Sequence, residues 1–344
     1  MKDGYGREIT YMRISITDRC NLRCTYCVGE ECMSGEATAV SAGGGNEKCC
    51  DIYAKCEPGE HVPDGGVGAK EPEELTRNEI TIIAQAAVSC GIRKIRITGG
   101  EPLLRADIVE ICSRLCEIPG VKELSVTTNG TLLKKYAVRL KEAGVSGVNI
   151  SLDTLNAEKY RHITRGGDIR AVFAGIEAAK AAGLFPIKIN VVLLKDFNEE
   201  EITAFVELTR REPIEVRFIE RMPIGAGAVS EAQQYLPGET VLAKVPELTP
   251  AGNSGVAALY RLPKGAGKVG LIRPVSCHFC PDCNRIRVTC DGKLKLCLHS
   301  EEEIDIRHVH GVQLRETLEQ AIAQKPMEHE DFLQGNISRS KRSM

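Results

Sequence analysis

The chain has 344 residues, of which 42% are hydrophobic and 27% are charged. This composition excludes disordered and fibrous proteins, and it allows one large core with room for a smaller second domain. Lysine and arginine number 45 against 47 acidic residues, so the global basic field of a nucleic-acid or membrane-surface binder is missing. No apolar run is long enough to span a membrane, and the charged segment 1–10 does not resemble a secretory signal. We therefore expect a cytoplasmic protein.

Short β-branched runs alternate with amphipathic stretches between residues 11 and 220. The runs predict strands at 11–16, 94–98, 123–127, 147–151, 187–193 and 215–219. The stretches between them predict helices at about 76–90, 106–116, 134–143, 169–182 and 198–211. Strands separated by helices indicate an α/β fold, either a parallel sheet or a partial (β/α)6 TIM-like barrel, with chemistry at the carboxyl ends of the strands.

Two segments interrupt this alternation. Residues 28–74 are rich in Gly, Glu and Ala without a sustained period, which indicates a long insertion in the first domain, 1–222. After Met222 the alternation stops, and we expect a smaller C-terminal domain, 223–344. Within it, Asp291-Gly292 predicts a hairpin turn, and a charged helix near 313–323 precedes a basic tail at 338–344.

Fifteen cysteines are the outlying feature of the composition. Cys20, Cys24 and Cys27 form a CxxxCxxC motif directly after the first predicted strand. Three thiolates this close can bind three corners of a cubane iron–sulfur cluster and leave the fourth iron open for reaction. A zinc site completed by a distant ligand and three buried thiols are the alternatives.

A second set consists of Cys280, Cys283 and Cys297. These again are three ligands, one short of a closed structural zinc site. They predict a second cluster whose open iron takes a substrate atom. The alternative is a four-cysteine zinc ribbon that recruits Cys277 or Cys290, which we expect to lie nearby.

Four predicted strands each carry one basic residue between two apolar ones, at Arg13, Arg96, Lys188 and Arg217. Because side chains alternate between faces, the apolar neighbours pack under helices and the basic residue points into the barrel. Four buried cations repel one another unless an anion or carboxylates compensate them. A snorkelled base on an edge strand explains one such residue but not four. The pattern favours a polyanionic small molecule in a central cavity.

The motifs together resemble those of the radical S-adenosylmethionine (SAM) superfamily. They are the CxxxCxxC with Tyr26 before its last cysteine, the turn Gly99-Gly100-Glu101-Pro102 after a strand, and the C-terminal CxxC…C. Segments 6–24 and 280–287 further resemble the GTP 3′,8-cyclase family, which performs the first step of molybdenum-cofactor synthesis. The resemblance covers nearly the whole chain outside residues 28–74.

The resemblance implies two [4Fe-4S] clusters, S-adenosylmethionine as cofactor, and a C-terminal domain that binds the auxiliary cluster. The implied cluster ligands are Cys20, Cys24 and Cys27 for the first and Cys280, Cys283 and Cys297 for the second. The implied SAM contacts are Tyr26, Gly100, Ser151 and Met222. The implied GTP contacts are Arg13, Arg96, Thr127, Lys188, Arg285, Ile286 and Arg287. Arg217 is a second-rank candidate for either ligand.

Gly99 and Gly100 also suit the binding of SAM physically, since a double glycine at a strand end exposes backbone groups to the amine and carboxylate of the methionine moiety.

The resemblance also implies a reaction. In the family, one electron from the first cluster cleaves SAM, and the resulting 5′-deoxyadenosyl radical removes the ribose 3′ hydrogen of GTP. The carbon radical then closes onto C8 while the second cluster binds the guanine. No side chain is implied as an acid, base or nucleophile.

The implied partners are GTP, a reductant that supplies electrons, and the next pathway enzyme, which receives the product. A homodimer is compatible with the resemblance. Neither a nucleic acid nor a membrane is expected as a partner.

Three features depart from the family pattern. The insertion brings Cys32, Cys49, Cys50 and Cys56 with His61 nearby, and we expect free thiols there rather than a further metal site. The family's closing double glycine is absent before Met344, so either the tail was lost or activation differs. Cys277 and Cys290 are spare thiols without an assigned role.

Two other functions remain open from the sequence. A radical SAM peptide-modifying enzyme would have more than three C-terminal ligand cysteines, and it leaves Arg285 and Arg287 unexplained. A non-catalytic iron–sulfur electron carrier or sensor would need neither the Gly99-Gly100 turn nor four inward-facing bases.

Overall fold

The computed structural model describes residues 1–27, 74–222, 235–300 and 302–328. Its strands are β1 (Tyr11–Ser15), β2 (Lys94–Thr98), β3 (Glu123–Thr128), β4 (Gly147–Ser151), β5 (Ile187–Leu193), β6 (Glu215–Glu220), β7 (Thr249–Ser254), β8 (Ala257–Arg261), β9 (Lys268–Ile272), β10 (Arg285–Val288), β11 (Lys293–Lys295) and β12 (Ile304–Asp305). Its helices are α1 (Arg77–Ser89), α2 (Ile108–Cys116), α3 (Leu133–Glu142), α4 (Ala157–Ile163), α5 (Ile169–Ala181), α6 (Ile202–Arg211), α7 (Glu239–Lys244) and α8 (Gly311–Ala323).

The strands form one sheet in the order β12-β11-β10-β1-β2-β3-β4-β5-β6-β9-β8-β7. From β10 to β9 every neighbouring pair is parallel. Antiparallel pairs add β11 and β12 at one edge and β8 and β7 at the other. Among the described strands, β12 and β7 do not pair, so the sheet is open. The predicted α/β class is confirmed.

All six predicted strands and five predicted helices of the first 222 residues are present, with bounds that differ by at most two residues for all but one. The exception is the helix predicted from residue 198, which opens with the 3₁₀ turn Glu199–Glu201 before α6. The hairpin at Asp291-Gly292 and helix α8 are also confirmed. Helices α4 and α7 were not predicted, because segments of seven and six residues are too short to display a helical period. The insertion up to residue 73 and the basic tail lie outside the described residues.

The sheet has one apolar and one polar face, as the alternation of side chains requires. In β2, Ile95 and Ile97 have no exposed surface and belong to the core beneath the helices. On the opposite face, Arg96, Lys188 and Arg217 are only 6%, 8% and 6% exposed. A flat open sheet would leave those charges in water, so the sheet curves around its polar face. This enclosed face is called the inner face below.

The C-terminal part of the chain supplies strands to both sides of the parallel sheet. β9 lies beside β6, and β10 lies beside β1. Residues from this part therefore border the inner face on both sides. The division into domains at Met222 stays a prediction.

A capping box fixes the start of α1, the first helix after the cysteine motif. The Thr76 hydroxyl accepts from the Glu79 N–H at 3.2 Å, and the Glu79 carboxylate accepts from the Thr76 N–H at 2.7 Å. Arg307 donates to the same carboxylate at 3.1 Å, which ties α1 to the segment after β12.

In the described ranges, no helix is both long and apolar enough to cross a bilayer.

Candidate active site

The loop after β1 carries the first cysteine set, Cys20, Cys24 and Cys27. All three are free thiols, of which Cys27 is exposed and the other two are partly buried. The Cys27 N–H donates to the Cys24 carbonyl at 2.9 Å, which closes the turn between these residues. Burial raises the pKa of the Cys20 thiol to about 11, so binding of a metal here displaces a proton.

The donor chemistry of this set fits a cubane cluster. In a cubane each thiolate binds a different iron, so the sulfurs lie further apart than the ligands of a single metal ion. Across the described ranges, no three His, Cys, Asp or Glu side chains are gathered as tightly as a single ion requires. Three thiols on one loop that form no disulfide therefore suit a cluster better than a preformed zinc site.

The glycine turn after β2 packs directly against this cysteine loop. A Cβ atom on Gly100 would lie 2.3 Å from the Arg19 carbonyl oxygen and 2.6 Å from that of Asp18. The Gly100 N–H donates to the Thr17 carbonyl at 2.7 Å. It is therefore not the free donor that the sequence reasoning assigned to it. The turn needs glycine chiefly so that the two backbones can approach.

Glu101 completes the turn and was missed by the sequence reasoning. Its carboxylate has no exposed surface, and it accepts hydrogen bonds from the Leu103 N–H, the Thr128 hydroxyl and the Asn129 N–H at 2.6–3.0 Å. Burial raises the pKa of Glu101. The Asn129 side chain donates onward to the Asn21 side chain at 2.9 Å. The ends of β2 and β3 thus hold the cysteine loop in place.

The predicted SAM contacts lie at one edge of the sheet. Gly100 follows β2, Ser151 ends β4, and Met222 comes shortly after β6. Because these strands are parallel, their carboxyl ends share that edge. Tyr26, inside the cysteine motif, donates to the buried Asp153 carboxylate just beyond β4 at 2.6 Å. The structure therefore brings the four predicted residues to the side of the first cysteine set.

A row of guanidinium groups crosses the inner face. Arg13 of β1 is in register with Arg287 of β10 on one side and with Arg96 of β2 on the other. Arg96 is in turn in register with Ser125, whose hydroxyl accepts from the Arg96 Nε at 3.2 Å. Three predicted GTP contacts therefore stand on adjacent strands at one level.

Lys188 and Arg217 lie further along the inner face, on β5 and β6. Lys188 is in register with Asn149 and with Glu215. Arg217 forms an ion pair with Glu215 and donates to the Ser254 hydroxyl at 3.1 Å. A carboxylate therefore already compensates Arg217, which supports its lower rank as a ligand contact.

The remaining predicted GTP contacts occupy different positions. Thr127 of β3 is in register with Asn149 and is partly exposed on the inner face. Arg285 lies on the same face of β10 as Arg287, whereas Ile286 is fully buried in the apolar core on the other face. Any contact of Ile286 with a substrate would have to come from its backbone.

The inner face holds positive charge that protein groups do not fully offset. Burial, together with the charges of neighbouring cations, lowers the pKa of Arg96 to about 10, of Arg287 to about 9 and of Lys188 to about 8. Arg285 is lowered to about 10 by the same causes. The binding of an anion stabilises cations that are buried in this way.

Sequence reasoning missed further polar residues on this face: Tyr11, Lys94, Ser125, Asn149 and Asn190. The signal was available, since Tyr11 and Lys94 each lie two residues before an arginine already identified. Of these residues, Tyr11 and Asn149 keep a buried polar atom without a hydrogen-bond partner.

The second cysteine set gathers at the other end of β10. Cys280 and Cys283 flank a 3₁₀ turn in which the Cys283 N–H donates to the Cys280 carbonyl at 3.1 Å. The register of the β10–β11 hairpin pairs Arg287 with Lys295, and continuing it by two residues places Cys297 opposite Arg285, two residues after Cys283. All three cysteines are free thiols, and they fit a cluster by the same donor argument as the first set.

The chain termini support this second set. The Arg7 guanidinium donates to the Cys280 carbonyl at 2.8 Å and to the Pro326 carbonyl at 2.6 Å. Lys325 donates to the Leu296 carbonyl beside Cys297. These bonds link the N-terminal segment, the turn of the second set and the segment after α8.

Cys290 is not near the second set, contrary to the expectation from sequence. It is buried at the opposite end of β10, where its carbonyl accepts from the Leu75 N–H at 2.7 Å. Seven residues of extended chain from Cys283 to Cys290 span about 20 Å. Burial raises the pKa of the Cys290 thiol, and the Asp18 carboxylate beside it raises it further. Cys277 is exposed.

The two cysteine sets therefore lie at opposite ends of the inner face. Cys20 follows the carboxyl end of β1, whereas Cys283 precedes the amino end of β10, which is parallel to β1 and in register with it. The arginine row lies between them. An anion held by that row is reached from one end by the first set and from the other by the second.

Comparison with known proteins agrees with this geometry. Residues 14–209 match the Radical SAM superfamily, and residues 214–331 match the family Molybdenum Cofactor Synthesis C. GTP 3′,8-cyclase from Alkaliphilus oremlandii is 45% identical over 350 residues, covering 100% of this chain and 98% of that protein. The chain belongs to the GTP 3′,8-cyclase family.

A second GTP 3′,8-cyclase, from Peptoclostridium acidaminophilum, is 44% identical over 333 residues and covers 95% of this chain and 92% of its own. Among solved structures, Streptococcus suis SuiB bound to S-adenosylmethionine aligns with a TM-score of 0.56 over 92% of this chain and 66% of that one. At 14% identity this likeness shows the fold alone. This chain and SuiB thus share a fold.

Proposed function

We propose that this protein is a GTP 3′,8-cyclase that converts GTP to (8S)-3′,8-cyclo-7,8-dihydroguanosine 5′-triphosphate in a SAM-dependent radical reaction. The observation that supports this best is the buried row of Arg287, Arg13 and Arg96 between two cysteine sets at opposite ends of the inner face. A polyanionic nucleotide in that row lies with one end towards each set. Full-length similarity to the cyclase family supports the same substrate.

The first cysteine set and the adjacent strand ends would bind the cluster and SAM. Cys20, Cys24 and Cys27 would hold the first cluster, which would supply the electron for reductive cleavage of SAM. Gly100, Ser151 and Met222 would orient SAM from the strand ends. Tyr26, whose hydroxyl donates to Asp153, would contact SAM on the side that faces the first cysteine set.

Arg13, Arg96 and Lys188, with Thr127, would bind the triphosphate and ribose of GTP on the inner face. Arg285 and Arg287 would meet the nucleotide from β10. Burial lowers the pKa of both guanidinium groups, and a bound anion would offset the free-energy cost of that burial. Their role is to hold the ribose at a fixed position relative to the first set.

The second cysteine set would bind the guanine through the open position of its cluster. Cys283 lies two residues before Arg285 on the same chain segment, so a base held there stays next to the charge that holds the phosphates. This fixes the guanine while its C8 atom forms the new bond.

We also propose that the reaction takes place in the cytoplasm. Two iron–sulfur sites and many free thiols require a reducing compartment. A reductant supplies the electrons, and the next enzyme of molybdenum-cofactor synthesis receives the product.

The decisive experiment is anaerobic reconstitution with iron and sulfide, followed by incubation with SAM, reductant and either GTP or ATP. We expect 5′-deoxyadenosine and the cyclised product with GTP alone. Cys24→Ser should abolish both products, whereas the matched control Cys116→Ser, on α2, should keep them. The proposal would be refuted if wild-type protein with both clusters loaded formed no 5′-deoxyadenosine in a GTP-dependent way.

A further inference from the structure

Tyr11 stands at the centre of the cations on the inner face. It lies two residues before Arg13 on β1 and points to the same side of the sheet. Its side chain is only 5% exposed. In register it lies between Arg285 of β10 and Lys94 of β2.

Four cations surround the Tyr11 ring. The guanidinium carbons of Arg13, Arg96 and Arg285 lie 5.7, 5.4 and 5.7 Å from the ring centroid, and the Lys94 Nζ lies at 5.4 Å. Each distance is within the range of a cation–π contact. These contacts with the electron-rich ring offset part of the repulsion among the four cations.

The Tyr11 hydroxyl is buried; it interacts with the Arg13 guanidinium, which is a donor only, and it has no protein acceptor for its own proton within hydrogen-bonding geometry. The Nε atoms of Arg13 and Arg285 beside it are also buried without a partner. A buried phenol normally finds a partner, because leaving the group unsatisfied costs free energy. Three unpartnered polar atoms around one ring indicate that the missing partner is a bound molecule.

All three unpartnered groups offer a proton to an acceptor, since guanidinium nitrogens are donors only and the phenol can donate. Burial raises the pKa of Tyr11, but the charges of Arg13, Arg96 and Arg285 outweigh burial and lower it. A phenol in such a field is a stronger hydrogen-bond donor. An anionic oxygen is the acceptor that matches these groups.

We propose that Tyr11 is a substrate-positioning residue whose hydroxyl donates a hydrogen bond to a phosphate oxygen of the nucleotide. Its ring contacts the four cations, and its hydroxyl completes the set of donors that they present. This inference rests on the proposed function, because GTP is the substrate there. It concerns the triphosphate and not the base or the reacting carbon atoms.

The test compares wild type with Tyr11→Phe, which removes the hydroxyl and keeps the ring. The matched control is Tyr160→Phe, because the Tyr160 hydroxyl is also buried without a partner but lies on α4. Reconstituted protein is titrated anaerobically with GTP and, separately, with inorganic tripolyphosphate, which carries the charge without the nucleoside. Iron content and far-UV circular dichroism verify that each variant is loaded and folded.

We expect Tyr11→Phe to weaken the binding of both GTP and tripolyphosphate by a similar factor, roughly 10- to 100-fold for a bond to a charged group. Iron content and kcat at saturating GTP should change little, whereas KM rises. Tyr160→Phe should leave both affinities unchanged.

Unchanged affinity for both probes in Tyr11→Phe would overturn the inference, and so would weaker GTP binding with normal tripolyphosphate binding, since the hydroxyl would then meet the nucleoside. The proposed function is judged separately, by whether wild type binds GTP. If wild type bound only tripolyphosphate, with a Tyr11-dependent affinity, the GTP assignment would fail and the role of Tyr11 would stand.

Discussion

Replacing Lys188 with methionine separates the cost of its buried charge from its use in binding. Methionine has a similar length and volume but no charge. Lys188 is 8% exposed, and burial, together with the charges of Arg217, Lys94 and Arg96, outweighs the attraction of Glu215 and lowers its pKa to about 8. The charged side chain therefore opposes folding in the absence of a ligand.

The magnitude follows from the difference between the two pKa values. An ordinary lysine titrates at 10.5, and Lys188 titrates at about 8. At 1.36 kcal/mol per pKa unit, the penalty is about 3 kcal/mol at neutral pH. Below pH 8 the group is charged in both the folded and unfolded states, so the full penalty applies. As the pH rises from 8 to 10.5 the folded state loses its proton first, and the penalty disappears.

We therefore expect Lys188→Met to raise the free energy of unfolding of ligand-free protein by up to about 3 kcal/mol at pH 7, and by little at pH 10.5. GTP binding should weaken by roughly 10- to 100-fold, as for a lost bond to a charged group. Wild-type affinity for GTP should also fall above pH 8, and the variant should lack this dependence.

The assay is anaerobic thermal unfolding at several pH values with and without GTP, alongside isothermal titration with GTP. Lys134→Met serves as the control, because Lys134 is exposed on α3. A variant that is less stable than wild type at pH 7, or that binds GTP with wild-type affinity and pH dependence, would refute the charge argument.

Three further predictions concern the cysteine sets. Cys297→Ser should lower iron from about eight to about four atoms per chain, whereas Cys277→Ser should keep about eight; equal loss in both would favour a different ligand set. Gly100→Ala should destabilise the fold by roughly 3 kcal/mol or more and reduce loading of the first set, because its Cβ meets the Arg19 carbonyl; normal iron content and melting temperature would contradict this. Arg7→Ala should broaden the electron paramagnetic resonance signal of the second cluster alone. Arg7→Lys should broaden it too, since a lysine cannot donate to both the Cys280 and the Pro326 carbonyls. An unchanged spectrum would show that those two hydrogen bonds are dispensable.

The strand and helix pattern of residues 1–222 could be predicted because apolar and polar residues alternate there with clear periods. Strands β7, β8 and β9 lack such a pattern: β7 reads Thr249–Ser254, with Pro and Gly inside it. Its pairing with β8 depends on contacts that no local window contains. The addition of β9 and β10 to opposite sides of the sheet likewise depends on tertiary packing.

The candidate site divides in the same way. The cysteine sets and the single bases on strands are local patterns, so they could be found from sequence. Glu101 and Asn149 were missed because a glutamate or asparagine in a strand or turn is ordinary until its neighbours are known, whereas side-chain alternation with Arg13 already placed Tyr11 on the inner face. The predicted position of Cys290 was wrong for a related reason: residues that are close in sequence lie far apart in space when the chain between them is extended.

By itself the sequence determined the α/β class, the two sets of three cysteines and the presence of unusually many inward-facing cations. Those properties depend on residue type, spacing and side-chain alternation, which are local. Only the tertiary structure decided that the cysteine sets lie at opposite ends of the inner face, with the arginine row of β10, β1 and β2 between them. That arrangement requires residues some 270 positions apart to pair in parallel register, and the free energy of such pairing comes from packing across the whole sheet.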